Sequence, residues 1–254
     1  MKDVEVRLLE QPQLKDPVLI EGLPGVGNVG KLAADHMIQE LKAVKFAELH
    51  SKYFPPQVLV LPDGTVRLVN NEMYYHKSKV KGQPDLVILI GDYQGLTADG
   101  QYALADTMLE MALKLGVKQV YTLGGYGTGK IQAKPRVLGA ATDLELVKEM
   151  KKHGVVFRKN EPGGGIVGAS GLLLGLGALR GVPGVCLMGE TSGYLVDPKS
   201  AQSVLEILGK ILKVDLDFTE LMTRAEQMDK LAQQLRDLER AAEGPNEEDL
   251  RYIG

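Results

Sequence analysis

A chain of 254 residues that is 44% hydrophobic and 25% charged can bury a large core, and wholesale disorder is excluded. A formal charge of −3 gives no electrostatic reason to expect nucleic acid as a partner, and no apolar run reaches the roughly 18–20 residues needed to cross a bilayer. Cys186 is the single cysteine, which rules out an intramolecular disulfide and a cysteine metal cluster. The opening MKDVEVRLLE lacks an apolar signal core, so the expectation is a cytoplasmic protein in a reducing compartment.

Short apolar, β-branched runs alternate with helical patterns, predicting an α/β fold with a mixed, mostly parallel sheet flanked by helices. Val18–Glu21 reads as a strand, followed by a glycine turn and a helix near Lys31–Leu41. Between Gln57 and His76 the turn signals Pro62-Asp63-Gly64 and Asn70-Asn71 divide three short strands, read as an antiparallel meander extending the sheet or covering its edge. Asp85–Gly91 is the near-continuous apolar run of a strand buried on both faces. A helix over about Gln101–Leu115 follows, with Leu104, Met108, Met111, Ala112 and Leu115 on one stripe and Gly116 at its end. Val117–Leu123 is the next strand. Thr142 with Glu145 reads as a capping box for a helix that Gly154 ends, Ser170 as the cap of an apolar helix to Arg180, and Gly184–Met188 as a buried strand. Asp197 and Pro198 open a helix to about Leu212.

The end of the chain has a different character. Asp217 to Glu243 contains neither glycine nor proline, and Phe218, Leu221, Met228, Leu231, Leu235 and Leu238 recur largely at three- and four-residue steps. This predicts a long amphipathic or coiled-coil-like helix over 215–243, following an α/β core over 1–214 and preceding a flexible tail over 244–254. From Asp215 onward there are 11 acidic and 5 basic residues, so an acidic arm follows a mildly basic body.

Two glycine runs invite a nucleotide reading. Gly25-Val-Gly27-Asn-Val-Gly30 is a formal GxGxxG at a strand-to-helix turn, and with Lys31 it also reads as the start of a phosphate loop. Gly124 to Lys130 repeats that spacing. Leu32 and Ile131 stand where a magnesium-binding hydroxyl should be, so both runs read as structural turns. Glu48, near the distance of a ribose-binding acid, keeps a dinucleotide site open. His36, His50, His76 and His153 share no metal-ligand spacing. Asp92 and Glu190, each after or within an apolar run, form the best carboxylate pair for an enzyme, although loop carboxylates more often cap helices or pair with cations.

Three stretches are more specific: EGLPGVGNVG (Glu21–Gly30), GLLLGLGALRGVPG (Gly171–Gly184) and MGETSGYLVDP (Met188–Pro198). In this order and spacing the chain, over Val4–Leu212, resembles the archaeal branch of the proteasome assembly chaperone family, related to a subunit of the eukaryotic assembly-chaperone heterodimer. The resemblance implies a fold similar to purine nucleoside phosphorylases, no established enzymatic activity, no cofactor, and binding to proteasome α subunits or the α-ring. It makes Gly25, Gly27 and Gly30 a family loop with no need of a nucleotide. Some members dock by a C-terminal hydrophobic-Tyr-any signature; here Leu250, Tyr252, Ile253 and Gly254 match it in part, with Arg251 before the tyrosine. The expectation is a homo-oligomer, alone or with a second homologous chain. Its helix (Leu221, Met228, Leu231, Leu235, Leu238) would meet a neighbour while its tail meets the α-ring. The competing reading is a nucleosidase- or phosphorylase-like enzyme using the glycine loops; an ATP-dependent factor using Lys31 or Lys130 is a third.

Overall fold

The structure is a computed structural model and describes residues 2–157, 164–228 and 230. In chain order its first half comprises β1 (Val4–Leu8), β2 (Val18–Glu21), α1 (Val29–Glu40), β3 (Val44–Ser51), β4 (Val58–Val60), β5 (Val66–Leu68), β6 (Asn71–His76) and β7 (Leu86–Gly91). Then follow α2 (Ala98–Lys114), β8 (Gln119–Gly127), β9 (Val137–Ala141), α3 (Leu144–Lys152), α4 (Ala169–Leu179), β10 (Gly184–Thr191) and α5 (Pro198–Leu212). A last helical stretch, α6, covers 219–228.

Eight strands form one mixed sheet in the order β1-β3-β6-β7-β2-β8-β10-β9. Its centre, β7-β2-β8-β10, is parallel and its two flanks are antiparallel. The central strands are mostly apolar because helices cover both faces, and every residue of β2 and β7 is buried. Ile20, Ile88, Leu123 and Val185 face α1 and α5, while Leu19, Val87, Leu89 and Val120 face α2 and α4. Among the described residues no helix is long and apolar enough to cross a membrane.

The caps follow the expected chemistry in part. Thr97 Oγ1 accepts from Gly100 N–H (3.1 Å) at the start of α2, and Gly116, at φ +83°, follows that helix. Asp197 Oδ1 accepts from Ser200 N–H (3.0 Å), with Pro198 in the first turn of α5. Two expectations are corrected. Asp143, not Thr142, caps α3, its Oδ1 accepting from Leu146 N–H (2.9 Å). Thr142 Oγ1 instead accepts from Gly184 N–H (3.0 Å), tying α3 to β10. Ser170 lies inside α4, whose entry is Gly168 at φ +90°. The meander is also divided. β4 and β5 form a separate two-stranded ribbon with Val60 and Val66 exposed, and only β6 joins the sheet, between β3 and β7. β1 and β9 were absent from the sequence reading, although Val4-Glu5-Val6-Arg7-Leu8 alternates as an edge strand should.

Candidate functional site

The first and third motif stretches meet at the carboxyl ends of β2, β8 and β10, where ligands bind in open α/β sheets; the second starts beside Glu21 in α4 and runs to the opposite end, where Gly184 opens β10. β2 ends on Glu21, which is fully buried. Its Oε1 accepts from Leu23 N–H (3.0 Å) and its Oε2 from the Ser170 hydroxyl (2.8 Å) at the start of α4. Burial pushes its carboxyl up to about 7, against the opposing pull of these two bonds. Across the sheet Glu21 is in register with Thr122, and Thr122 with Cys186. Burial, opposed by a Thr122 hydrogen bond and reinforced by the Glu21 charge, raises the Cys186 thiol to about 12, so it stays a thiol at neutral pH.

The first glycine loop is shaped by packing. Gly27 adopts φ +60°, and a Cβ there would lie 2.7 Å from Thr191 Oγ1. One on Gly30 would lie 2.1 Å from Leu123 O, and one on Gly125 would lie 2.1 Å from Val26 O. Gly27 O accepts from Asp197 N–H (2.9 Å), so the third motif is tied directly to the first. Gly25 is extended, with nothing nearer than 4.0 Å to an added Cβ, and nothing in the structure requires glycine there. Lys31 forms an ion pair with Asp35, one turn along α1. Gly124–Gly127 belong to β8, paired with β10, and the next element is a strand, so the second run has no helix to complete a phosphate loop.

The acidic candidates do not converge. Asp92 accepts from Arg67 Nη1 (2.6 Å) and Nη2 (2.9 Å), and from Asn70 N–H (3.0 Å). Burial favours its neutral form, but these bonds and the Arg67 charge prevail and hold the carboxyl below the usual range. Glu190, buried in β10, accepts from Arg136 Nε (2.9 Å) and Nη2 (2.5 Å). β7 and β10 lie three strand steps apart, about 14 Å, too far for two carboxylates to share one bond-breaking step. Glu48 sits on β3, also three steps, or about 14 Å, from β2, and cannot serve a ribose at the glycine loop. It pairs with Lys45 (2.8 Å).

His36 is buried, hydrogen-bonded to Asp217 O (2.7 Å) and stacked on Phe218. His76 Nδ1 bonds Leu41 O (2.9 Å), His50 lies 3.8 Å from Glu48, and His153 ends α3. Among the described residues no group of three or more potential ligands could hold a metal ion. Val26, Ile131, Tyr194 and Val196 are exposed, with Tyr194 at 83%. Such a rim of apolar and aromatic side chains suits contact with a macromolecule. Leu221 and Ala225 of α6 are buried, and Met228 lines a small cleft with Ile131 and Val196. Leu231, Leu235, Leu238, Leu250, Tyr252, Ile253 and Gly254 lie outside the described residues.

The PAC2 family model matches residues 19–236, which take in all three motif stretches. The chain belongs to the PAC2 family. A relative, the uncharacterized protein MJ1210 of Methanocaldococcus jannaschii, is 43% identical over 260 aligned residues, covering 100% of this chain and 96% of the relative. Among solved structures, Pyrococcus furiosus PbaB, described as an archaeal proteasome activator, superposes with a TM-score of 0.89 at 44% identity, over 93% of this chain and all of PbaB. Pyrococcus furiosus PbaA, described as an archaeal homolog of proteasome-assembly chaperone, superposes with a TM-score of 0.75 at 28% identity, over 99% of this chain. Within this PAC2 fold, what the sequence reading missed are the long-range partners: Ser170 for Glu21, Arg67 for Asp92 and Arg136 for Glu190. No local spacing signals any of them.

Proposed function

We propose that this PAC2 protein is a non-enzymatic, homo-oligomeric binding protein that assists proteasome assembly or activation by engaging α subunits or the assembled α-ring. The observation that carries this reading is the 44% identity, over nearly the whole chain, to a protein described as a proteasome activator. The glycine loop supports it, because Thr191, Leu123 and Gly125 close on the loop and Lys31 is paired with Asp35. In this reading the apolar face after Met228, with Leu231, Leu235 and Leu238, meets a neighbouring copy or a second homologous chain. The segment Leu250–Gly254 meets the α-ring: Tyr252 brings an amphipathic ring, and Leu250 and Ile253 bring apolar contact. Several identical tails on one oligomer raise avidity without a single strong contact.

Native mass spectrometry of the chain, alone and mixed with proteasome α subunits, tests this directly. The expected result is an oligomer that forms a complex with α subunits, and a variant lacking Leu250–Gly254 that binds about tenfold or more weakly. Absence of any complex at micromolar concentration sinks the reading. Undiminished binding by the shortened variant removes the tail from it.

A further inference from the structure

The two ends of the eight-stranded sheet are finished differently. Along the outer side of β9, Gly139 N–H donates to Val156 O (2.9 Å) and Val156 N–H donates to Val137 O (2.8 Å). At the other end β1 pairs only with β3 among the described residues. Leu9 N–H donates inward to Phe46 O (2.8 Å), so strand alternation turns the N–H and C=O groups of Val4, Val6 and Leu8 outward. Within Val4–Leu8 there is no lysine, proline or bulge; its charges are Glu5 and Arg7, and just beyond it the N–H groups of Leu9 and Glu10 both bond Phe46 O. Beside it, between β1 and α2, lies a cleft of about 730 Å³ lined in part by Val4, Val6, Leu8, Phe46 and Met111. Glu5 and Arg7 point to the opposite face, next to His50 and Glu48.

We propose that β1 pairs antiparallel with β1 of a second copy, about a two-fold axis at Val6, joining two sheets into one. The proposal names a surface and does not rest on the proteasome reading. The sequence Val4-Glu5-Val6-Arg7-Leu8 is charge-complementary to its own reverse. With the axis at Val6, Glu5 faces Arg7 of the second copy at two symmetric positions, and Val4 faces Leu8. The outward groups of Val4, Val6 and Leu8 make the ladder bonds. The Glu5–Arg7 pairs therefore fall at non-hydrogen-bonded positions, where opposite Cα atoms approach to about 4.5 Å and side chains interact most closely. An axis at Glu5 or at Arg7 would set like charges opposite each other, so the register is specified by charge. The second copy's Val4, Val6 and Leu8 then lie on the cleft side and extend its apolar lining.

Amide hydrogen exchange and sedimentation of the full chain test this, using Glu5→Arg, Arg7→Glu and their equimolar mixture. The expected result is slow exchange at Val4, Val6 and Leu8 in the unaltered chain. Either single variant should speed that exchange and raise the dimer dissociation constant roughly tenfold, because two attractive pairs become repulsive. Mixing the two variants should restore both protection and affinity, since only the mixed pair opposes unlike charges at both positions. Fast exchange at these three amides in the assembled chain overturns the proposal, and so does a mixture no tighter than the single variants. Association through α6 alone would give that fast exchange, while α-subunit binding is read in a separate assay and stands or falls independently.

Discussion

The Ser170 hydroxyl donates to the Glu21 carboxylate across 2.8 Å, although the residues are 149 positions apart. That bond joins the start of α4 to the end of β2. It holds a carboxylate that burial has raised to about 7, from an ordinary value of 4.5.

The consequence for stability has a definite sign. A raised folded-state value means that the native protein holds the Glu21 proton more tightly than the unfolded chain does. The stabilisation is fully present below about pH 4.5 and is lost as pH rises through about 7. The shift corresponds to about 3 kcal/mol. Glu21→Gln should therefore be more stable than the parent at pH 8 and lack this part of the decline between pH 5 and 8. Urea unfolding at the two pH values checks it; parallel pH profiles for the two proteins would refute the assignment.

The glycines of the first loop should separate into required and dispensable. Gly30→Ala forces a Cβ to within 2.1 Å of the Leu123 carbonyl and should cost about 3 kcal/mol or more. Gly25→Ala meets open space in an extended backbone and should stay within about 0.5 kcal/mol. Denaturation midpoints distinguish the two, and equal losses would count against a packing role for the loop.

Arg136 neutralises a buried carboxylate from a position that is itself 60% exposed. Arg136→Ala should lower the unfolding midpoint, though by less than the loss of one partner of a fully buried pair, because water screens the exposed guanidinium. Adding Glu190→Gln should recover part of that loss. Thermal unfolding of the single and double variants provides the cycle, and strictly additive losses would contradict it.

Within α6 the effects should follow the side facing the core. Leu221 is 1% exposed, and Leu221→Ala should cost about 2–5 kcal/mol by leaving a cavity. Met222, 52% exposed, should tolerate alanine within about 0.5 kcal/mol. A Leu221→Ala variant that unfolds like its parent would mean that the helix leaves the core in solution.

The sequence by itself determined what depends on neighbours within a helical turn or a strand period. The buried runs of β2 and β7, the apolar stripe of α2, the Asp197-Pro198 start of α5 and the structural character of the first glycine loop could all be read from it, while the dispensability of Gly25 could not. Only the tertiary structure decided which strands became neighbours, because sheet order is set by crossovers of many residues. It put β6 inside the sheet and left β4 and β5 as a ribbon. It separated Asp92 from Glu190 by three strands and gave each an arginine. It also moved Ser170 from a cap to the partner of Glu21, since a hydroxyl at a helix start bonds whichever acceptor the packing brings within reach.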